Sequence, residues 1–274
     1  MLTKRPLVLR GIVNRHLRCN AASTSSFDSN SPHTHTVTNQ ATPLTDYNAY
    51  HDLPLMQGVE RYSAEWGSDR LSRLGTAVGS SEWQRKSRNA NNHSPKLKTF
   101  DRFGHRQDAV TFQDDYHAIM DLGLSEGAAS FAWQENNRRK EGAHVIRGGL
   151  MYLMYMLNPG CCCPITMTFA AVPALEAGMQ AEPSFPAAFF SELHEKLRKP
   201  GYDGTNGPIE SKPSVTMGMS MTEKQGGSDV RANTTTATLV DVTTNQYSLS
   251  GHKWCVLALS FFCFLFSYIH IYKA

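Results

Sequence analysis

Acidic side chains are missing from the first 27 residues, where Lys4, Arg5, Arg10, Arg15 and Arg18 all precede Asp28. That gap accounts for the whole basic balance of the chain. Of 27 Lys and Arg, setting those five aside leaves 22 against 24 Asp and Glu. The body therefore lacks the charge of a nucleic-acid-binding surface, and no nucleic-acid partner is expected. The N-terminus also lacks a long apolar run, so nothing there supports secretion. Its spaced arginines, the cluster Ser23, Thr24, Ser25 and Ser26, and the apolar residues Leu7, Val8, Leu9, Ile12, Val13 and Leu17 match a mitochondrial transit peptide. A disordered, untargeted extension on a cytoplasmic protein is the alternative, and residues 1–30 are set apart from the fold on either reading. Regular cysteine spacing is absent too. Cys19, Cys161, Cys162, Cys163, Cys255 and Cys263 form no disulfide framework and suit a reducing compartment. The Cys161–Cys162–Cys163 triplet has no spaced Cys or His partner, so no metal site is expected; the three read as buried or half-buried free thiols. His33 and His35 read as solvated loop residues.

What is present is a globular composition, 41% hydrophobic over 274 residues, enough for a substantial core in one or two domains. Residues 31–60, rich in Thr, Asn and Pro, read as an extended arm. Trp66, Leu71 and Leu74 carry helical spacing over 62–79, with a further helix over 80–89, and the stretch 100–114 reads as a connection. Helices are expected over 115–122, 127–137, 142–157, 164–179 and 185–197. The clearest is 142–157, where Val145, Ile146, Leu150, Leu153, Met154 and Leu157 share one face. Glu135 and Glu141 read as surface or helix-end acids. A Pro- and Gly-rich connection over 200–213 follows. Beyond Lys212 the pattern turns to short Thr- and Val-rich segments, 215–221, 234–242 and 246–250, with 233–242 predicted to pair with 247–253 across 243–245. Helices followed by antiparallel strands define an α+β chain.

The most informative stretch is Met219-Ser-Met-Thr-Glu-Lys-Gln-Gly-Gly-Ser228, followed by Asp229. A buried apolar segment leads into a loop in which Gly226 and Gly227 permit positive φ and close backbone approach, while Thr222 and Ser228 set hydroxyls beside exposed N–H groups. Such a loop can cradle a polar, phosphorylated cofactor; a plain surface β-turn uses the same residues. Three further segments stand in order with it: His35-Thr-Val-Thr-Asn-Gln40 with Pro43-Leu44, Cys163-Pro-Ile-Thr-Met-Thr-Phe-Ala-Ala171, and Gly251-His-Lys-Trp254. Together these motifs resemble the acyl-CoA dehydrogenase family in its AidB-like (adaptive response to alkylation) branch, over about residues 35 to 254.

The resemblance implies an all-α N-terminal domain (31–212, arm included) and the start of an antiparallel β-barrel middle domain (213–254), with the C-terminal helical domain of the family absent from the chain. It implies FAD as cofactor. Met219, Ser220, Met221 and Thr222 would line the isoalloxazine, and Gly226, Gly227 and Ser228 would shape the loop near the pyrophosphate or acyl group. An acyl-CoA-like substrate and, for full-length members, a homo-oligomer are implied as well. The family's catalytic Glu belongs to the C-terminal domain, so no residue here inherits that role, and Glu223 is a loop carboxylate. The expected activity is α,β-dehydrogenation of an acyl-CoA thioester, carried here by an N-terminal part without its base. A non-catalytic FAD-binding or membrane-tethered fragment, related to the AidB-like DNA-protective proteins, is the alternative. After Trp254 the family pattern stops, and residues 255–272 are apolar and uncharged. They read as a gene-model artefact or, alternatively, as a tail anchor, the only route to a membrane partner.

Overall fold

The computed structural model describes residues 39–181, 187–205, 207–243 and 246–254. The expectations for residues 1–30, for His33 and His35, for Cys19, Cys255 and Cys263, and for the 255–274 tail lie outside them. Residues 39–43 belong to a first unit and are exposed, without helix or strand. Everything below concerns the second unit, from Leu44 onward.

The predicted arm ends earlier than its composition suggests. Asp52 accepts a hydrogen bond from the Leu55 amide (3.2 Å) and starts helix α1, Leu53–Arg61, with Pro54 in the first turn where its missing N–H is harmless. Helix α2, Ser68–Gly79, buries Leu71, Leu74 and Val78. Ser80 then caps α3, Ser81–Asn92, through the Trp83 amide. The stretch read as a connection instead contains a hairpin, β1 (Lys96–Phe100) with β2 (Arg106–Thr111), paired antiparallel from Lys96↔Thr111 to Phe100↔Arg106. Its side chains are almost all exposed, so no buried face wrote an alternating apolar pattern into the sequence.

Helix α4, Asp114–Ser125, is closed by Gly127 at φ +87. The helix predicted over 127–137 reduces to a single 3-10 turn, Phe131–Trp133. There Asn137 turns its side-chain amide back on the Phe131 carbonyl (3.1 Å), a local bond that competes with a helical ladder. Helix α5, Ala143–Leu157, matches its periodicity.

Helix α6, Pro159–Ala181, begins one turn before the predicted start at Pro164. Asn158 makes this possible: its Oδ1 accepts from the Cys161 amide (3.1 Å), while its Nδ2 donates to Ser87 Oγ (3.1 Å), which itself donates to the Leu157 carbonyl (2.6 Å). Helix α7, Ala187–Arg198, follows.

Two cores result. One gathers Leu71 and Leu74 of α2, Ile119 and Met120 of α4, Ile146, Leu150, Leu153 and Met154 of α5, and Ile165 of α6. The other joins Val172 and Leu175 of α6 to Phe190, Leu193 and Leu197 of α7 and to Met217. The 200–213 connection is tied down by two buried lysines. Lys196 Nζ donates to the carbonyls of Ile209 (2.7 Å) and Glu210 (3.0 Å), and Lys212 Nζ to those of Asp203 and Thr205.

Beyond it, strands β3 (Thr236–Asp241) and β4 (Gln246–Ser250) pair antiparallel, Thr236 opposite Ser250 and Leu239 opposite Tyr247, as the sequence predicted. The predicted strand over 215–221 does not form: the stretch carries no strand assignment, and the Met217 amide goes to Thr168 Oγ1 of α6 (3.0 Å) rather than to a neighbouring strand. Helices thus precede small antiparallel sheets, an α+β arrangement. Among the described residues, 213–254 contribute one two-stranded sheet and two isolated bridges.

Candidate functional site

Anchored on α6 through Met217, the chain runs outward as an extended segment whose side chains alternate. Met219 is 37% exposed, Ser220 is buried and Met221 is 52% exposed, the period of two that extended backbone imposes. Thr222 is half-buried, and Gly226, Gly227 and Ser228 are exposed. Of the seven predicted cofactor residues Ser220 is turned inward, while the two methionine side chains and Trp254 (63% exposed) present apolar surface.

The loop's shape is set by Glu223, which the sequence left as an unremarkable loop acid. It is 1% exposed, and both carboxylate oxygens are committed. Oε2 accepts from Gln225 Nε2 (2.7 Å) and from the Thr234 amide (2.7 Å) and hydroxyl (3.1 Å). Oε1 accepts from the Thr235 amide (2.9 Å) and faces Lys253 Nζ at 3.2 Å. The Gln225 side chain first, then Thr235 and Thr234, hold the Glu223 carboxyl well below the ordinary carboxylate range. The two ends of the turn close on each other, Glu223 N to the Gly226 carbonyl (3.2 Å) and Gly226 N to the Glu223 carbonyl (3.0 Å). Lys253 Nζ and Asn233 Nδ2 both donate to the Met221 carbonyl (3.2 and 2.9 Å), and the Trp254 amide donates to that of Thr222 (3.0 Å).

The two glycines play different parts. Gly226 has φ +148, a conformation that L side chains rarely adopt. Gly227 does not share it, contrary to the expectation of positive φ at both; a Cβ there would stand 2.7 Å from Thr222 Oγ1 and 3.0 Å from its Cγ2. Its need is close approach rather than an unusual dihedral.

With the carbonyls of Met221, Thr222, Glu223 and Gly226 satisfied, the amides of Gly227, Ser228 and Asp229 donate to no acceptor among the described residues. Three consecutive free donors beside the Thr222 and Ser228 hydroxyls suit an anion, and the apolar Met219–Met221 edge suits a flat ring. The donor set thus fits a phosphorylated aromatic cofactor such as a flavin dinucleotide.

A second feature was not visible in the sequence. A cleft of about 390 Å³ opens between α3, α4 and α6, lined in part by Phe112, Tyr116, Met120, Cys163, Met167 and Thr216. Thr216 belongs to the segment that leads into the loop, so cleft and loop share one element. The cysteine triplet divides here. Cys161 and Cys162 are buried, and their thiols are pushed up to about 12 by burial, whereas Cys163 is exposed on the cleft wall, a departure from the burial or half-burial expected of all three. Glu135 is an exposed partner of Arg198 (3.3 Å), and Glu141 offers its backbone carbonyl to Trp66 (2.9 Å).

Residues 39–204 match the family model of the adaptive response protein AidB N-terminal domain. The sequence is 39% identical over 222 residues, 81% of this chain, to the putative acyl-CoA dehydrogenase AidB of Escherichia coli (strain K12), of which the match covers 39%. It is 26% identical over 246 residues, 89% of this chain, to acyl-CoA dehydrogenase family member 11 of Caenorhabditis elegans, covering 36% of that protein. The crystal structure of Caenorhabditis elegans ACDH-11 in complex with C11-CoA resembles the fold with a TM-score of 0.65 over 85% of this chain and 37% of that one, at 24% identity. The chain spans less than two fifths of the length of the curated relatives it matches.

Proposed function

The chain belongs to the AidB-like branch of the acyl-CoA dehydrogenase family, and on that premise we propose that residues 219–228 bind FAD and that the protein takes part in oxidation of an acyl-CoA-like thioester. The observation that carries the reading is the run of free amides at Gly227, Ser228 and Asp229, on a loop where the carbonyls of Met221, Thr222, Glu223 and Gly226 already accept. Those amides, with the Thr222 and Ser228 hydroxyls, would hold the pyrophosphate; Met219, Met221 and Thr222 would lie along the ring system. Flavin held there supplies a two-electron acceptor for α,β-dehydrogenation. Residues 213–254 are, on this reading, the opening of an antiparallel β-barrel middle domain.

The apolar part of the ligand is assigned to the cleft beside Phe112, Tyr116, Met120 and Met167. Its lining is suited to an aliphatic chain, and Thr216 joins it to the flavin loop. Excluding water from that wall is the contribution these side chains would make. Glu223 does not act as the base: its oxygens accept from four donors and face a lysine, so it stays ionised and has no lone pair directed at a substrate carbon. The role supported for this stretch is cofactor binding and substrate positioning.

The test is the visible absorption spectrum of the purified chain, with any flavin identified after denaturation. A flavin band at near one per chain is the expected result; a folded protein that carries none, and takes up none when FAD is added, would overturn the reading.

A further inference from the structure

Three pieces of chain that are far apart in sequence meet at Glu223: the loop itself, the 233–235 segment that begins β3, and the 252–254 segment that leaves β4. Glu223 takes the amides of Thr234 and Thr235. Lys253, 11% exposed, reaches both the Glu223 carboxylate and the Met221 carbonyl at 3.2 Å. Lys224 adds a backbone bond, its amide donating to the His252 carbonyl (3.1 Å). The hairpin β3–β4 shows little burial of its own, with Leu239, Val240, Tyr247 and Leu249 all exposed. A two-stranded hairpin of that kind is marginal by itself, and this cluster ties it to the loop.

Building on the flavin-loop reading, we propose that Glu223 and Lys253 form a positioning pair that sets the loop for cofactor binding and locks the β3–β4 hairpin to it. The amides of Thr234 and Thr235, the Gln225 side chain and the Lys253 ammonium all point at Glu223 or Met221. The amides of 227–229 are left facing outward, beside the Thr222 and Ser228 hydroxyls. A carboxylate is required because it alone accepts on all sides; an amide of the same size would set an NH₂ against an incoming N–H. A cation with more than one N–H donor is required at 253 because a single head group must serve a carboxylate and a carbonyl at once.

The test compares the full chain with Glu223→Gln, Lys253→Met and Lys253→Arg, none of which changes volume greatly. Two readouts are followed: the FAD dissociation constant, from quenching of flavin fluorescence, and amide hydrogen exchange resolved by peptide. E223Q and K253M are expected to raise the dissociation constant about tenfold or more, the scale of a lost charge-assisted hydrogen bond. They should speed exchange over 223–226 and 234–235 while leaving α5 unchanged, and K253R should recover most of the affinity. Wild-type affinity and wild-type exchange in E223Q would overturn the pairing. Should the unaltered chain bind no FAD, the flavin reading falls separately. The exchange data then decide alone: faster exchange of both segments in E223Q sustains the positioning role, and unchanged exchange ends it.

Discussion

Trp133 donates its indole N–H to the carbonyl of Phe169 at 2.9 Å, the carbonyl that Pro173, four residues on in α6, leaves without a helical donor. The two rings also stack, with centroids 4.9 Å apart. A proline inside a 23-residue helix is thereby accommodated by a residue 36 positions before the carbonyl it orphans, since a carbonyl left unpaired would cost more than the bond itself returns. Replacing Trp133 with Phe keeps a ring and removes the donor, and should cost about 1 kcal/mol in urea unfolding. In a Pro173→Ala background the helix recovers its own donor, so the same substitution should cost less. Equal costs in the two backgrounds would show that the bond is not answering the proline.

Gly227→Val should abolish retention of flavin. A β-branched side chain must fit where even a Cβ would stand 2.7 Å from Thr222 Oγ1, and the loop would have to open. The cores of α2, α4, α5 and α6 lie elsewhere, so the thermal midpoint of the helical signal should stay within a few degrees of the unaltered protein, about the scale of 1 kcal/mol in a chain of this size. Absorbance of the purified variant, read beside circular dichroism, checks both halves. Retained flavin would remove the loop from the binding site.

Glu176 joins α6 to two partners, bonding Arg138 through both oxygens (2.6 Å each) and His194 Nε2 at 2.8 Å. The Arg138 bonds first, with the His194 bond assisting against a desolvation that opposes them, lower the Glu176 pKa. A carboxyl lowered in the folded state adds stability that is present above its unfolded pKa, about 4.3, and is lost as pH falls toward the folded value. Glu176→Gln should therefore cost about 1 kcal/mol at pH 7, reduced from a buried pair's worth because the side chain is partly solvated, and the gap to the unaltered protein should narrow below about pH 4. Urea titrations at pH 7 and pH 3.5 measure it; a gap of constant size would show that packing, not charge, is what the substitution removes.

Among the three adjacent cysteines, thiol reagents should find Cys163 and spare Cys161 and Cys162, whose burial keeps them both inaccessible and protonated. Peptide mapping after brief alkylation at pH 8 shows which sulfur is modified. A long-chain acyl-CoA added beforehand should slow the reaction of Cys163 if its chain occupies the cleft that this residue lines. Unaltered rates at saturating ligand would place the acyl chain elsewhere.

Helices α2, α5 and α7 were legible because each buries a stripe, and a stripe leaves a period of 3.6 in the sequence. Helix α1 was not: Leu53 and Met56 on it are exposed, so it begins from the Asp52 cap rather than from an apolar pattern. The β1–β2 hairpin went unread for a related reason, its Leu97, Phe100 and Phe103 being 57–69% exposed and set among lysines and arginines. In the opposite direction, the Met-rich segment before the loop has the composition of a strand, yet its Met217 amide is taken by a threonine of α6.

By itself the sequence determined the order of helices then strands and a hairpin across 243–245, because periodicity and β-branching act within a few residues. The tertiary structure alone decided that Glu223 is the hub of the glycine loop, that Trp133 answers Pro173, and that Cys163 faces a cleft while its neighbours do not. Each of these depends on which distant segment supplies a donor or a wall. Those partners stand 11, 30 or 36 residues apart, beyond the reach of any pattern that acts within a few residues.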